Sequence, residues 1–364
     1  MGSSSVFNTL YDIASSAVST GTSILCGFAA GDQPPAASQG PLTIGSRQLQ
    51  VQRLLGEGGF SNVFLAQDQT NTEYALKRML CHDGTDALEM AQREIEAGQQ
   101  LSHPNIVPLL AHLVEEHRAG ARYVYMLFPL YKQGNLLDLS MRATELGEPL
   151  SEEFIIHVFR GICAALEYLH GYKQPDGAVE AAGRQHGEYS SVPQPPPDLG
   201  TTGAAGQHGL VHGDIKLGNV MLADDGKTPI LMDFGSVRAA HIKAHTRTQA
   251  LQIQDDAAQR CTMPYRAPEL FDVQRDAEFD ARTDVWALGC LLFALAYGFT
   301  PFEDPHEGPG ASIALAAANA RYRVPEPNPY SQRIPQLIAY MLEPDPQTRP
   351  FIGQVIAQVN SLYK

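Results

Sequence analysis

Residues 55–63 read L-G-E-G-G-F-S-N-V, a glycine-rich turn between two β-like runs. Gly56 and Gly58 allow the main chain to approach phosphate oxygens more closely than a Cβ would permit. Glu57 and Gly59 complete the turn, and Ser61 stands where the usual G-x-G-x-x-G pattern has its third glycine. Fourteen residues after Val63, the run Y-A-L-K ends in Lys77. Seventeen residues further comes Glu94, ahead of H-P-N-I at 103–106. A single lysine or glutamate is ordinarily a solvated surface charge. A glycine turn, a strand lysine and a helix glutamate in this order point instead to phosphate handling. Downstream, H-G-D-I-K-L-G-N (His212 to Asn219) brings Asp214, Lys216 and Asn219 onto one short loop. D-F-G at 233–235 and A-P-E at 267–269 follow it.

Local patterning names the elements that must hold these groups. Leu49-Gln50-Val51 and Asn62 to Leu65 have strand character on either side of the glycine turn, and Glu73 to Met79 is the next strand. Ser151 is an expected N-cap, followed at helical spacing by Ile155, Phe159, Ile162, Leu166 and Leu169. Segments 285–299 and 333–343 also have helical patterning. The implied order is a small β lobe followed by a larger helical one.

Taken together, these runs resemble the eukaryotic protein kinases over about residues 48–364, apart from 173–208. D-V-W-A-L-G at 284–289 and D-P-Q-T-R-P at 345–350 extend the match. The resemblance implies an α+β bilobal kinase-like fold, with a small antiparallel β lobe and a larger helical lobe. It also implies ATP and Mg²⁺ as cofactors and proteins as substrates. Lys77 is expected to bind the α- and β-phosphates, oriented by Glu94. Asn219 and Asp233 are expected to hold Mg²⁺. Asp214 would take or orient the substrate hydroxyl proton, and Lys216 would offset charge on the γ-phosphate. That lysine resembles serine/threonine rather than tyrosine kinases. Leu55, Val63 and Ala75 would cover adenine on one side and Met221 on the other, with Phe128 as gatekeeper. Pro129 would offer a hinge carbonyl and Tyr131 a hinge N–H. Asp284 is expected to brace the catalytic loop, Arg349 to pair with Glu269, and Thr262 to bond the catalytic loop. Two other readings stay open: a pseudokinase scaffold, and a small-molecule kinase, which would generally lack T-M-P-Y-R-A-P-E.

Finer segments resemble the Numb-associated kinase family, and within it the small members that carry N-terminal myristate and palmitate. These are L-G-E-G-G-F-S, Y-A-L-K-R-M-L-C-H, A-Q-R-E and A-A-Q-R-C-T-M-P-Y-R-A-P-E-L-F. That likeness implies an extra helix in the activation segment, here residues 248–261, and a setting in membrane traffic at the Golgi. Ala250, Ile253, Ala257 and Cys261 have the matching helical spacing. Gly213 replaces the arginine that commonly precedes the catalytic aspartate, so the loop is expected to lack a cation there and activity to depend little on activation-segment phosphorylation. Gly218 stands where kinases that prefer basic substrates often carry glutamate. Gly98, one turn after Glu94, replaces a bulky side chain and lowers helix propensity by about 1 kcal/mol relative to alanine.

Composition sets the outer bounds. The 364 residues suit about two ordinary domains or one bilobal domain, and a 44% apolar fraction supports a sizeable core. A net charge of −14 argues against nucleic-acid binding, which needs clustered Lys and Arg. The five cysteines form no C-x-x-C pair, and a reducing, cytoplasmic compartment is expected. The longest apolar run, Val285 to Phe299, is fifteen residues against the ~20 that span a bilayer, so a buried helix is expected.

The 32 glycines and 25 prolines make about one residue in six. Two stretches stand apart in composition. Residues 1–42 contain no Lys or Arg, and residues 173–208 hold five prolines and six glycines; both are expected to be loose. The P-x-x-P at Pro193 to Pro196 reads as a solvated linker before an SH3 ligand. Gly2 is a candidate for myristoylation, although Val6 occupies the position where Ser or Thr is usual, and Cys26 is the N-terminal palmitate candidate. An unmodified terminus stays open beside this peripheral membrane contact. A monomer is expected.

Overall fold

Strand residues that pair directly across a sheet present their side chains on the same face, and this rule organises the first half of the chain. In the computed structural model, which describes residues 41–117, 120–173, 209–303 and 312–363, six antiparallel strands run in the order β1-β2-β3-β4-β6-β5. They are β1 (Leu42–Ile44), β2 (Arg47–Glu57), β3 (Ser61–Asp68), β4 (Glu73–His82), β5 (Ala111–Glu116) and β6 (Ala121–Pro129). Phe64 pairs with Leu76 and Leu76 with Leu127, so one face gathers Ile44, Leu49, Phe64, Ala66, Leu76, Tyr125 and Leu127 into a buried cluster. Arg78 is buried on that face too, its guanidinium stacked 4.9 Å from the Phe64 ring and 5.1 Å from Tyr123.

The chain divides into two compact units, the first running to Leu88 and taking in Leu109–Leu130, the second comprising Glu89–Pro108 and the chain from Tyr131. The first is the sheet. Helix α1 (Asp86–Gln100) starts at the end of the first unit and runs into the second.

The second unit is helical, with short strand pairs. Its helices are α2 (Leu136–Leu146), α3 (Glu152–His170), α4 (Arg247–Arg260), α5 (Arg282–Tyr297), α6 (Ile313–Ala318), α7 (Arg333–Met341) and α8 (Ile352–Leu362). The pairs are β7 (Leu210–Val211) with β10 (Arg238–Ala239), β8 (Val220–Leu222) with β9 (Pro229–Leu231), and β11 (Ile242–Lys243) with β12 (Glu278–Phe279). Ser151 caps α3 as expected, its hydroxyl accepting the Phe154 N–H at 3.2 Å, and the five apolar residues of the stripe are buried. Every residue of α5 from Arg282 to Ala296 is buried, which is why that apolar run reads continuously rather than periodically. The helix stops at Tyr297, short of Phe299, because Gly298 adopts φ +83° and caps it in the left-handed conformation. The α+β kinase-like architecture, a small antiparallel sheet unit and a larger helical unit, is therefore present.

Of the stretches expected to be loose, 1–42 and 173–208 lie outside the described residues except for Pro41, Leu42 and Lys173. Leu42 belongs to β1, because it pairs with Leu49 across a tight turn. Gly2, Cys26 and the P-x-x-P segment also lie outside the described residues. Among the described residues, no helix is long and apolar enough to cross a membrane, and Cys81, Cys163, Cys261 and Cys290 are buried free thiols.

Candidate active site

The catalytic-loop sequence leaves β7 at His212, and D-F-G ends two residues before β10, so the β7–β10 pair brings the two segments side by side. Asp284, in the first turn of α5, is 1% exposed and fixes the start of the loop. Its carboxylate accepts the His212 N–H at 2.8 Å and the Gly213 N–H at 3.0 Å, with the His170 Nε2 3.1 Å away. Burial alone would push this carboxyl up. The His170 contact and the Gly213 amide hold it below the usual carboxylate range.

His212 then couples the loop to the D-F-G segment. Its Nδ1 accepts the Asp214 N–H at 3.3 Å, so the proton sits on Nε2, which donates to the Met232 carbonyl at 3.1 Å. The ring meets the Phe234 ring edge-on at 5.1 Å.

Gly213 has φ +83°, and a Cβ there would lie 2.5 Å from the Arg238 guanidinium and 2.8 Å from the Ser236 carbonyl. The expectation that this point of the loop lacks a cation is therefore corrected. Arg238, on β10, brings a guanidinium to the space that a Gly213 side chain would fill. The close packing and the left-handed backbone both demand glycine.

Every oxygen of the Asp214 carboxylate is engaged. Oδ1 accepts from the Thr262 hydroxyl at 2.7 Å and from the Thr262 N–H at 3.0 Å. Oδ2 lies 2.7 Å from Lys216 Nζ and accepts from Asn219 Nδ2 at 3.0 Å. Lys216 also donates to the Thr262 hydroxyl at 2.9 Å, and Asn219 Nδ2 donates to the Asp214 carbonyl at 2.8 Å. With its amide N–H groups turned to Asp214, Asn219 has its carbonyl oxygen as the end available to a hard cation. Asp233 sits at φ +67° ahead of buried Phe234, Gly235 and Ser236. Met221, half-buried on β8, bridges Asn135.

In the sheet unit, Val63 pairs with Lys77, Leu65 with Ala75 and Ala75 with Phe128. Val63, Ala75, Lys77 and Phe128 thus share the face opposite the Phe64 cluster. The glycine turn is closed by the Gly58 N–H donating to the Ser61 carbonyl at 2.7 Å, and a Cβ at Gly56 or Gly59 would meet open space. Leu55 is exposed beside it. Glu94 is buried on α1, and Gly98 is half-buried on the same helix. Pro129 ends β6 opposite Tyr74, and the chain enters the helical unit between Leu130 and Tyr131, within the segment expected to form the hinge.

Two expected supports are present. Arg349, fully buried, forms two parallel hydrogen bonds to Glu269 at 2.8 and 2.9 Å. The activation-segment helix exists as α4, capped by Thr246 and Gln249 in a reciprocal capping box, with Ala250, Ile253 and Ala257 buried.

The sequence matches the protein kinase domain family over residues 49–174 and 206–359. The chain belongs to the protein kinase family. The two matched blocks leave out residues 175–205, inside the proline- and glycine-rich stretch. This kinase is 36% identical to serine/threonine-protein kinase 16 of Rattus norvegicus over 326 residues, covering 89% of this chain and 93% of the relative. It is 30% identical to serine/threonine-protein kinase ppk13 of Schizosaccharomyces pombe, covering 87% and 91%. Serine/threonine-protein kinase ENV7 of Saccharomyces cerevisiae is 28% identical, covering 89% and 94%. These relatives place the kinase in the serine/threonine class, and the family uses ATP and Mg²⁺.

Arg238, Arg260 and Arg266 were not singled out by sequence reasoning. Arg260 carried a signal, since it continues the buried stripe of Ala250, Ile253 and Ala257 at helical spacing, and Arg266 lies within the quoted T-M-P-Y-R-A-P-E run.

Proposed function

We propose that this kinase transfers the γ-phosphate of ATP to serine and threonine hydroxyls of proteins, with Asp214 as the group that receives or orients the hydroxyl proton. The observation that carries this reading is the fully engaged Asp214 carboxylate, held by Lys216, Asn219 and Thr262. A carboxylate fixed on both oxygens has one orientation to offer a substrate, which is the positional contribution general-base catalysis requires. Lys216, already beside Asp214, would offset charge on the transferring group. Asn219 and Asp233 supply oxygen donors suited to Mg²⁺, which when bound neutralises negative charge on the phosphates. In the sheet unit, the open space at Gly56 and Gly59 supports main-chain contact with phosphate oxygens. Lys77 is assigned to the α- and β-phosphates, with Glu94 as its orienting carboxylate. Leu55, Val63, Ala75, Met221 and the hinge atoms of Pro129 and Tyr131 are assigned to adenine.

The activity is tested by radiolabelled phosphate transfer to a generic protein substrate, with Asp214→Asn beside wild type. Wild-type transfer that is absent in the variant supports the reading. Equal signals, or none, favour a nucleotide-binding scaffold without catalysis.

The finer setting proposed is that of the small acylated Numb-associated kinases, at the cytoplasmic side of Golgi or related membranes, as a monomer. It rests on the quoted segment likenesses and on α4, the helix such kinases carry in the activation segment. One myristate binds membranes only marginally, so Gly2 acylation would need Cys26 palmitate as a second anchor. Intact-mass measurement of protein from its native host, seeking an added ~210 Da, the mass of a myristoyl group, decides the first of these.

A further inference from the structure

The last turn of α4 is where several parts of the helical unit meet. Arg260, its final residue, has a side chain only 5% exposed. Its Nη2 donates to Glu89 Oε2, in the first turn of α1, at 3.3 Å. Its Nε lies 2.9 Å from Asp256 Oδ1, one turn back on α4. Arg93 is the other cation at Glu89, at 3.4 Å. The Arg260 carbonyl accepts the Ser236 hydroxyl at 3.1 Å, directly after D-F-G. The next two residues reach the catalytic loop: Cys261 Sγ lies 2.9 Å from the Gly213 carbonyl, and Thr262 holds Asp214. Arg266 donates to the Ala258 and Cys261 carbonyls at 3.2 and 3.0 Å, supplying donors to the end of α4 and a positive charge to its negative pole. Met90, the neighbour of Glu89, lies against Gly235, its Cε 3.3 Å from where a Cβ on that glycine would be.

We propose that Arg260 is a positioning residue whose ion pair with Glu89 seats α1, the helix that carries Glu94, against the D-F-G segment without a phosphate on the activation segment. The proposal rests on the kinase reading above. A single guanidinium does this because it is buried where α4 meets both Glu89 of α1 and the Ser236 turn. Removing Glu89 leaves the buried guanidinium with Asp256 as its remaining carboxylate, and that loss of partnering in a site with poor access to water keeps the pair closed. The hydroxyls around this junction are engaged rather than free for modification. Ser236 is bonded to Arg260, and Thr262 to Asp214.

The test compares wild type, Glu89→Gln, Arg260→Lys and the double variant Glu89→Gln/Arg260→Gln, all first treated with phosphatase. Readouts are steady-state peptide phosphorylation and amide hydrogen exchange over residues 89–100. Dephosphorylated wild type is expected to keep its activity. Glu89→Gln is expected to lower kcat about tenfold, the size of one lost charge-assisted hydrogen bond, with peptide KM nearly unchanged and faster exchange in α1. Arg260→Lys should retain most of kcat, and the double variant should fall no further than Glu89→Gln, as expected for one shared interaction. Glu89 is 41% exposed on its side chain, so its neutral variant folds even if Arg260 variants do not. Wild-type kcat in Glu89→Gln, a lower kcat without faster α1 exchange, or loss of most activity on dephosphorylation would each overturn the proposal. If wild type transfers no phosphate, the kinase reading fails, while the exchange comparison still decides whether Arg260 and Glu89 seat α1.

Discussion

The Thr262 hydroxyl donates to Asp214 Oδ1 at 2.7 Å while accepting from Lys216 Nζ at 2.9 Å. One hydroxyl therefore links the carboxylate to its neighbouring ammonium. Thr262→Ala leaves Asp214 Oδ1 with only the main-chain N–H and frees Lys216 on one side. Charge-assisted hydrogen bonds contribute about 1.5–3 kcal/mol, so kcat is expected to drop about tenfold or more. Thr262→Ser keeps the hydroxyl and is expected to stay within about twofold on the same ground. Steady-state kinetics of the two variants check this.

Gly213 combines φ +83° with a guanidinium 2.5 Å from its would-be Cβ. Gly213→Ala is expected to destabilise the protein by about 1–3 kcal/mol, from left-handed strain alone, with the displacement of Arg238 adding to it. Denaturant unfolding measures the loss. A variant as stable as wild type would show that Arg238 moves aside freely.

Asp284 gives a dependence on acid. Its carboxyl is held below the usual range in the folded chain, despite burial. The unfolded state therefore binds the proton more readily, so the stabilisation is full above the unfolded pKa of about 3.9. It is lost as pH falls through the lower folded value. Asp284→Asn should lower Tm at neutral pH and flatten the fall in Tm below about pH 4. Thermal unfolding as a function of pH is the measurement.

Arg349 is the buried half of the Glu269 pair. It also donates to the Arg282, Glu343 and Pro344 carbonyls, so one side chain ties the A-P-E segment to the start of α5 and to the loop after α7. Arg349→Ala is expected to cost about 3–5 kcal/mol, because it leaves Glu269 without its partner. Glu269→Gln, which keeps one acceptor, should cost less. Calorimetry of both variants tests the order.

Much of this organisation was legible in residue order. The α3 cap at Ser151, the buried α5 run and the stripe of α4 are local patterns, and helix periodicity expresses them without reference to the rest of the chain. Asp284, Arg349 and Thr262 were legible through the resemblance, which carries positions across. Arg238 was not. It sits on a two-residue strand, and its meaning depends on the empty side of Gly213, twenty-five residues earlier in the sequence.

By itself the sequence determined the order of the phosphate-handling motifs, the β-then-α succession and the residue types available for chemistry, since these follow from local spacing and side-chain identity. Tertiary structure alone decided that Arg260 meets Glu89. Arg260 and Glu89 are far apart in the chain, and a lone arginine reads the same whether it is solvated or buried against a carboxylate. The difference lies in burial, which only the packed chain creates and which makes such a pair count. The same holds for the cation near Gly213: the sequence showed an arginine missing from the loop, and packing returned one from β10.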